Sequence, residues 1–200
     1  KRFKIILLDS KNTFTKKDLF LNEWNINYKK SIEWISRRNG GKVEKVDIRN
    51  KSVTTNNGSV FKADLIHIIP EQRASEIMFK SNFVKKDWCD VNPNSFELVD
   101  HKNIYALGDS INAWDMPKSG FSANSQAKIL SLNLINRILD KDYFNPVFLN
   151  TCYSFSSANR AFSITSWYRV NENGTKIVSL GSKESDIDGT DYDRFEESNH

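Results

Sequence analysis

The sequence predicts an α/β fold that ends in a smaller antiparallel β region. The run "FKIILLD", residues 3–9, is short and apolar, as in a buried parallel strand followed by a loop. A polar segment of helical character covers about 16–30 and leads to a second strand, "IEWIS". Near the other end, "FLNTCYSF", "AFSITSWYRV" and "TKIVSLG" have the pattern of three antiparallel strands.

A hairpin is predicted around Asn57-Gly58. Apolar and polar residues alternate on both sides of this pair, and Asn-Gly accepts positive φ at both turn positions. The next run, "ADLIHII", has lost the alternation, so we expect a strand that is buried on both faces. Together these patterns predict a partly parallel sheet that carries a β-meander.

The second half of the chain predicts a further strand and a long helix. "NIYALGDS" is expected to be a strand that ends at Gly108-Asp109, on a sheet separate from that of "FKIILLD". "SANSQAKILSLNLINRILD" has apolar residues at helical spacing and therefore one buried face. A short helix is expected around 74–81, and the acidic end from Ser182 is expected to be a loop or a frayed tail.

Composition argues against several classes of protein. The 29 basic and 25 acidic residues leave a net charge of +4, and no Lys/Arg stripe is interleaved with aromatic residues, so no nucleic acid partner is predicted. The longest apolar runs are strand-sized and too short to span a bilayer. His67 and His101 lack metal-ligand spacing to a cysteine or carboxylate, so no metal site is predicted. Because the chain opens on Lys1, we interpret it as a fragment of a larger protein.

Two neighbouring elements could bind a ligand. A strand that ends at Gly108 lets the backbone approach a ligand closely, and Asp109 could accept hydrogen bonds from a sugar or ribityl hydroxyl. The segment "MPKSG" then precedes a long helix, where unpaired amides, the Ser119 cap and the Lys118 charge suit an anion or an electron-rich carbonyl. The alternatives are a plain turn and simple helix capping. One polyol ligand with a heteroaromatic end could touch both elements.

The two cysteines are interpreted differently. Cys89 lies between Asp87, Trp88 and Asp90, which indicates a loop rather than a core segment. A reactive thiolate there would need a nearby cation or helix dipole, which the helix start could supply if the two loops meet. The alternative is a small hydrophobe in the core. Cys152 has the alternating neighbours of a strand and is expected to be structural.

The segments "ADLIHIIPEQRAS", "WCDVNPNSFE", "NIYALGDS", "MPKSGFSANSQAK" and "LNTCYS" resemble, in this order, part of a known family. They are similar to the carboxyl-terminal half of the flavin subunit of flavocytochrome c sulfide dehydrogenase, a relative of the sulfide:quinone oxidoreductases. The resemblance implies part of a disulfide-reductase-like flavoprotein with two dinucleotide-binding domains and a carboxyl-terminal antiparallel β interface domain. It implies boundaries of 1–89 for the second nucleotide-binding-like domain, 90–142 for the end of the FAD-binding domain and 143–200 for the flavin-binding/interface domain.

The resemblance also implies a function and a set of site residues. Cys89 would be the catalytic cysteine of a redox-active disulfide beside FAD, and a c-type cytochrome subunit in the periplasm would accept the electrons from sulfide or polysulfide. Asp109 would bind the ribityl chain, and 116–120 would lie along the pyrimidine edge of the flavin. The implied cofactor-binding residues are Gly108, Asp109, Met116, Pro117, Lys118, Ser119 and Gly120.

The chain departs from the family pattern at its front. Its eight glycines include no GxGxxG, so the Gly-rich FAD turn and the partner cysteine are expected in a preceding half. Asp9 ends a strand without a Gly-rich turn before it, so no bound NAD is predicted.

Two alternative functions stay open. The first is a sulfide:quinone oxidoreductase. The polar, acidic end "SDIDGTDYDRFEESNH" argues against membrane insertion. The second is a docking module that has the fold but lacks redox chemistry, against which the presence of both Cys89 and "MPKSG" argues.

Overall fold

The computed structural model describes residues 3–200, which divide into two compact units. Unit 1 consists of 3–70, Phe155–Phe162 and Asp186–His200, and unit 2 consists of Glu71–Ser154 and Ser163–Ser185. The family-based boundaries at residues 89 and 142 stay predictions.

Unit 1 begins with a parallel β-α-β arrangement. Strand β1 (Ile5–Leu8) pairs in parallel with β2 (Ile32–Ile35), and helix α1 (Lys17–Tyr28) connects them. Parallel neighbours need a crossover of this kind, so the predicted strand, helix and strand are confirmed. The expected burial of β1 is wrong, since Ile5 and Ile6 are 43% and 38% exposed. The carboxylate of Asp9, just after β1, accepts hydrogen bonds from the Trp34 indole at 3.0 Å and from the Lys11 amide at 2.8 Å.

A β-meander follows in unit 1. Its strands β3 (Val43–Asp47), β4 (Ser52–Thr55) and β5 (Val60–Lys62) pair antiparallel in sequence order, so the predicted hairpin is confirmed. Its turn differs from the expected one, since Gly58 has φ of +83° and Asn57 does not have positive φ. Asn57 instead uses its side-chain oxygen to accept from the Ser59 amide at 3.1 Å.

Two predicted strands are wrong. Residues 63–69 form no strand, and Leu65 and Ile69 are 85% and 79% exposed. "NIYALGDS" makes only one isolated bridge, between Glu97 and Tyr105, and ends in a 3-10 turn, so no separate sheet forms around it within residues 3–200. Apolar composition indicates a tendency to be buried, but a strand also needs neighbours for its backbone groups.

Unit 2 contains helices α2 (Glu76–Lys80) and α3 (Gly120–Ile138), both at predicted places. Strands β6 (Phe148–Ser157), β7 (Arg160–Val170) and β8 (Ile177–Glu184) form a three-stranded sheet in sequence order, and β7 and β8 are antiparallel. The predicted α/β class with an antiparallel β region near the end is confirmed. The core of unit 2 includes these fully buried side chains: Cys89, Phe96, Ile111, Phe148 and Ile177.

The expected frayed tail is wrong. Strand β8 continues to Glu184, and helix α4 (Asp191–Ser198) follows it. A capping box starts α4: the Thr190 hydroxyl accepts from the Asp193 amide at 3.2 Å, and the Asp193 carboxylate accepts from the Thr190 amide at 2.8 Å. The acidic residues of this segment therefore stabilise a helix start, where negative charge is favoured.

A buried ion cluster joins three segments of unit 1. The Glu23 carboxylate of α1 accepts hydrogen bonds from Arg160 at 2.9 and 3.0 Å, from Arg194 of α4 at 3.2 Å and from the Ser156 hydroxyl at 2.8 Å. Glu23 and Arg194 are each 1% exposed, and Arg160 also pairs with Asp191. Burial raises the pKa of Glu23, but the hydrogen bonds from Arg160, Ser156 and Arg194 outweigh it and lower this pKa from 4.5 to about 2.

Replacing Glu23 should therefore destabilise unit 1 in a pH-dependent way. Glu23→Gln should lower the free energy of unfolding at neutral pH by roughly 3–5 kcal/mol, because the buried Arg194 guanidinium loses its counter-charge and Arg160 keeps only that of Asp191. A carboxyl whose pKa is lowered on folding stabilises the fold above its unfolded pKa and loses that contribution as the pH falls. The parent should thus lose roughly 3 kcal/mol between pH 4.5 and about 2 that the variant does not lose.

Urea denaturation followed by circular dichroism across this pH range measures the difference between parent and variant. Glu33→Gln is the matched control, because the pair of Glu33 with Lys4 is exposed and should contribute less than about 1 kcal/mol. The same dependence of stability on pH in the parent and in Glu23→Gln would contradict the assignment.

Candidate functional site

Gly108 packs closely against the start of helix α3. Its φ is +70°, and a Cβ added to it would lie 3.2 Å from the Cβ of Ala123. Its amide donates to the side-chain oxygen of Gln126 at 2.7 Å. Glycine is therefore required here by the backbone conformation and by the close approach of α3. The structure thus brings the predicted Gly108-Asp109 pair and the predicted helix start together.

Helix α3 has a capped and open amino end. Ser119 is the N-cap, and its hydroxyl oxygen accepts from the Ser122 amide at 3.0 Å. Nothing lies within 4 Å of a Cβ added to Gly120, so the space beside this residue is open. Amides in the first turn of a helix have no intrahelical acceptor. The capping role of Ser119 is therefore confirmed, and the binding of a ligand by the other amides of the first turn stays a prediction.

The Lys118 ammonium is directed at neutral groups of the protein. Its Nζ donates to the carbonyl of Asp109 at 3.1 Å and to the carbonyl of Ile111, and it lies 3.7 Å from the centre of the Trp88 ring. Burial lowers the pKa of Lys118, while Asp109 and Cys89 raise it and partly offset this effect. Backbone carbonyls therefore hold the Lys118 ammonium beside the candidate site. The role of Lys118 in binding a cofactor stays a prediction.

Cys89 is fully buried in the core of unit 2, so its interpretation as a loop residue is wrong. Its amide donates to the Ser110 carbonyl at 2.9 Å, and its carbonyl accepts from the Asn112 amide at 2.9 Å. Burial raises the pKa of the Cys89 thiol, Asp90 raises it further, and Lys118 lowers it. The charged neighbours suggested a loop, but Cys89 and Val91 point inward while Asp90 is exposed, and this alternation was visible in the sequence.

Two amide side chains in the site were missed by the sequence analysis. Asn150 of β6 is buried, and its oxygen accepts from the hydroxyls of Ser119 at 2.5 Å and Ser122 at 3.1 Å. Its Nδ2 donates to the sulfur of Cys152 at 3.3 Å. Gln126 bonds to Gly108 and also lies 3.8 Å from the sulfur of the buried Met116. Asn150 stands in the motif "LNTCYS", but alternation alone predicted only a strand there.

The cysteines and acidic residues form no further centre in the described chain. Within residues 3–200, Cys89 and Cys152 are not joined by a disulfide, and no group of three or more His, Cys, Asp or Glu side chains could hold a metal ion. No described helix is both long and apolar enough to cross a membrane.

Comparison with known families matches the two ends of the chain to one flavoprotein. Residues 1–70 match the central model of the flavoprotein chain of sulfide dehydrogenase [flavocytochrome c], and residues 144–198 match the flavocytochrome c sulphide dehydrogenase flavin-binding model. Together the two matches span more than half of the chain. The chain belongs to the flavocytochrome c sulfide dehydrogenase flavoprotein family. The resemblance inferred from the sequence is thereby confirmed, and so is FAD as the cofactor at the level of this family.

A solved structure supports the same fold. The sulfide:quinone oxidoreductase from the hyperthermophilic bacterium Aquifex aeolicus is 13% identical, with a TM-score of 0.61 over 99% of this chain and 48% of that chain. The chain therefore spans about half the length of that protein. The likeness shows a shared fold, while the assignment of two dinucleotide-binding domains stays a prediction.

The residues near the start of α3 fit the edge of a flavin. The carboxylate of Asp109 is exposed, and among residues 3–200 no hydrogen bond reaches its oxygens. The space beside Gly120, in the first turn of α3, is open. The Asp109 carboxylate can accept hydrogen bonds from hydroxyl groups, as a ribityl chain requires. Amides at the start of α3, on a neighbouring backbone segment, can donate to carbonyl oxygens, as a pyrimidine ring requires.

Removing the α3 cap should destabilise this site. Ser119→Ala should lower the free energy of unfolding by about 1–2 kcal/mol, because the Ser122 amide loses its acceptor and the Asn150 oxygen loses a donor. Ser131→Ala is the control, since Ser131 lies on the exposed side of α3 and bonds only to the Ala127 carbonyl of its own helix. That change should stay within about 0.5 kcal/mol of the parent in urea denaturation. Equal losses in both variants would argue against the cap.

Proposed function

We propose that this chain is the carboxyl-terminal part of an FAD-dependent sulfide dehydrogenase. The full protein would oxidise sulfide through a redox-active cysteine disulfide and FAD and pass the electrons to a c-type cytochrome. The observation that carries the proposal is the match of both ends of the chain to one flavoprotein family, with Cys89, Asp109 and the start of α3 on neighbouring backbone between them.

The chain would contribute one side of the flavin site. Asp109 would accept hydrogen bonds from ribityl hydroxyls, and the first-turn amides of α3 would favour negative charge at the pyrimidine edge. Ser119 and Asn150 would keep these amides in place through their hydrogen bonds. Bound FAD would supply a two-electron acceptor beside the cysteine.

Cys89 would contribute the sulfur chemistry. In the longer protein it would form a disulfide with a second cysteine, and hydrosulfide would attack one of the two sulfurs. The S–S bond then breaks, the attacked sulfur carries a persulfide, and the other sulfur leaves as a thiolate with the electron pair of the broken bond. The core position of Cys89 would keep this thiolate away from bulk water.

The partners and the compartment follow from the family in this proposal. A c-type cytochrome would be the acceptor, sulfide or polysulfide the substrate, and the periplasm the location, and the description of the matched family supports the first two.

Cysteine variants of the FAD-loaded full-length protein test the proposal. Cys89→Ser should abolish the bleaching of the visible flavin band by sulfide and leave FAD binding intact, because a hydroxyl cannot form the disulfide that sulfide attacks. Cys152→Ser is the control and should bleach like the parent, at a stability cost of at most about 1–3 kcal/mol.

The electron acceptor is tested in the same protein. Reoxidation by a c-type cytochrome but not by a soluble quinone supports the proposed dehydrogenase, and the reverse would favour a quinone reductase. Equal bleaching in Cys89→Ser and the parent would favour a redox-inactive docking module, and loss only in Cys152→Ser would place the chemistry on the other cysteine.

A further inference from the structure

Lys118 is an exposed residue whose ammonium group contacts electrically neutral groups of the protein. Some lysines of the chain pair with carboxylates, as Lys80 does with Glu76, and others contact neutral groups, as Lys17 does the Trp34 ring. The Lys118 ammonium contacts two backbone carbonyls and the face of the Trp88 ring, 3.7 Å from its centre. Such contacts orient an ammonium group without cancelling its charge, so its field extends to neighbouring groups.

The neighbouring group is Cys89, which shares the same short piece of backbone. The carbonyls that hold Lys118 belong to Asp109 and Ile111, on either side of Ser110. The Ser110 carbonyl accepts the amide hydrogen of Cys89, and Cys89 forms a parallel bridge with Ile111. Trp88, which packs on the ammonium, directly precedes Cys89. Two connections therefore keep Lys118 near Cys89: both residues bond to the 109–111 backbone, and Trp88 contacts the ammonium and is the chain neighbour of Cys89.

The charged groups around the thiol have opposite effects. Burial and Asp90 raise the pKa of Cys89, and Lys118 lowers it. Asp109 and Cys89 in turn favour the charged form of Lys118. Lys118 is thus the cation in this set that favours the thiolate, and the thiol on which it acts is fully buried.

We propose that Lys118, oriented by the ring of Trp88 and by the carbonyls of Asp109 and Ile111, is a positioning residue that stabilises the thiolate of Cys89. The inference rests on the proposed function for its catalytic meaning, because it assigns the charge of Lys118 to the sulfur step. It adds Trp88 to the functional residues, as the side chain that holds the ammonium beside the thiol.

The titration of Cys89 tests this directly in the 200-residue chain. In a Cys152→Ser background with ¹³C-labelled cysteine, the Cβ chemical shift of Cys89 follows its ionisation without any reagent that must reach a buried thiol. Lys118→Met should move the titration midpoint upward, since the thiolate loses its cation. Lys118→Arg should restore much of the shift, because Arg keeps the charge and stacks on aromatic rings.

Changes at the ring and at a distant lysine complete the design. Trp88→Leu should also move the midpoint upward, and Trp88→Phe should move it less, since Phe keeps an aromatic face. Lys128→Met, at an exposed position on α3, should leave it unchanged. A merely structural role of Lys118 predicts the opposite sign, because a loosened core would hydrate Cys89 and lower the midpoint. A lowered or unchanged midpoint in Lys118→Met therefore overturns the inference.

Flavin bleaching in the FAD-loaded full-length protein separates this inference from the proposed function. Lys118→Met should slow bleaching by sulfide, and the difference from the parent should shrink as the pH rises and the thiolate forms without help. An unshifted midpoint together with normal bleaching overturns the inference alone. No bleaching in the parent overturns the proposed function, whereas the shifted midpoint would still establish the coupling between Lys118 and Cys89.

Discussion

The Glu23 carboxylate is the contact on which the arrangement of unit 1 depends. It joins α1 to the end of β6, the start of β7 and α4, whose contacting residues follow Glu23 by 133 to 171 positions in the chain. Taking a carboxylate and two guanidinium groups out of water is costly, and the cost is recovered only when nearly every donor and acceptor is used. Glu23 meets that condition, since both of its oxygens accept hydrogen bonds. The cluster therefore favours one arrangement of these segments over others that would leave a buried charge alone.

The candidate site in unit 2 is built on the opposite principle, because neutral amides hold it together. Gln126 fixes the Gly108 amide, and Asn150 fixes the two serines at the start of α3. Neutral hydrogen bonds orient these groups without adding a field of their own beyond local dipoles. The formal charges at the site are then few, chiefly Asp109 and Lys118, so each can act on a ligand or a thiol without being screened by a neighbouring ion pair. Such an arrangement suits chemistry in which charge appears and disappears on sulfur and on a flavin.

The sequence predicted what short-range patterns determine. The β1-α1-β2 segment, the hairpin at Gly58 and helix α3 follow from apolar spacing and turn residues within about twenty positions. The capping box that starts α4 is equally local, and it was missed because the acidic composition of the tail was given more weight than the spacing of Thr190 and Asp193. The failed strand at 63–69 has another cause, since its apolar residues say nothing about which strand would pair with it.

The candidate site, too, could be predicted from short-range patterns only in part. Gly108 and the start of α3 are joined by one short loop, so their proximity could be predicted from the chain itself. The contacts of Asn150 with Ser119 and Ser122 span about thirty residues and two different elements, and no periodicity in either element indicates them. The burial of Cys89 could have been inferred from the alternation with Val91, but charged neighbours usually mark loops and this general tendency was misleading here.

The burial of Cys89 becomes compatible with a redox role when the charge of each state is considered. A disulfide is neutral, so a core position costs it nothing in desolvation. A thiolate appears only after the S–S bond has been broken, and at that moment the same position disfavours it, as the raised pKa of the thiol shows. A cation that is already oriented compensates part of this cost without any reorganisation during the reaction. Lys118 is oriented in this way because carbonyls and an indole, not a carboxylate, hold it. A salt bridge to Lys118 would keep the ammonium equally well in place but would leave the thiolate with little net attraction. The neutral surroundings of Lys118 are therefore what would allow a buried cysteine to change its charge state in this core.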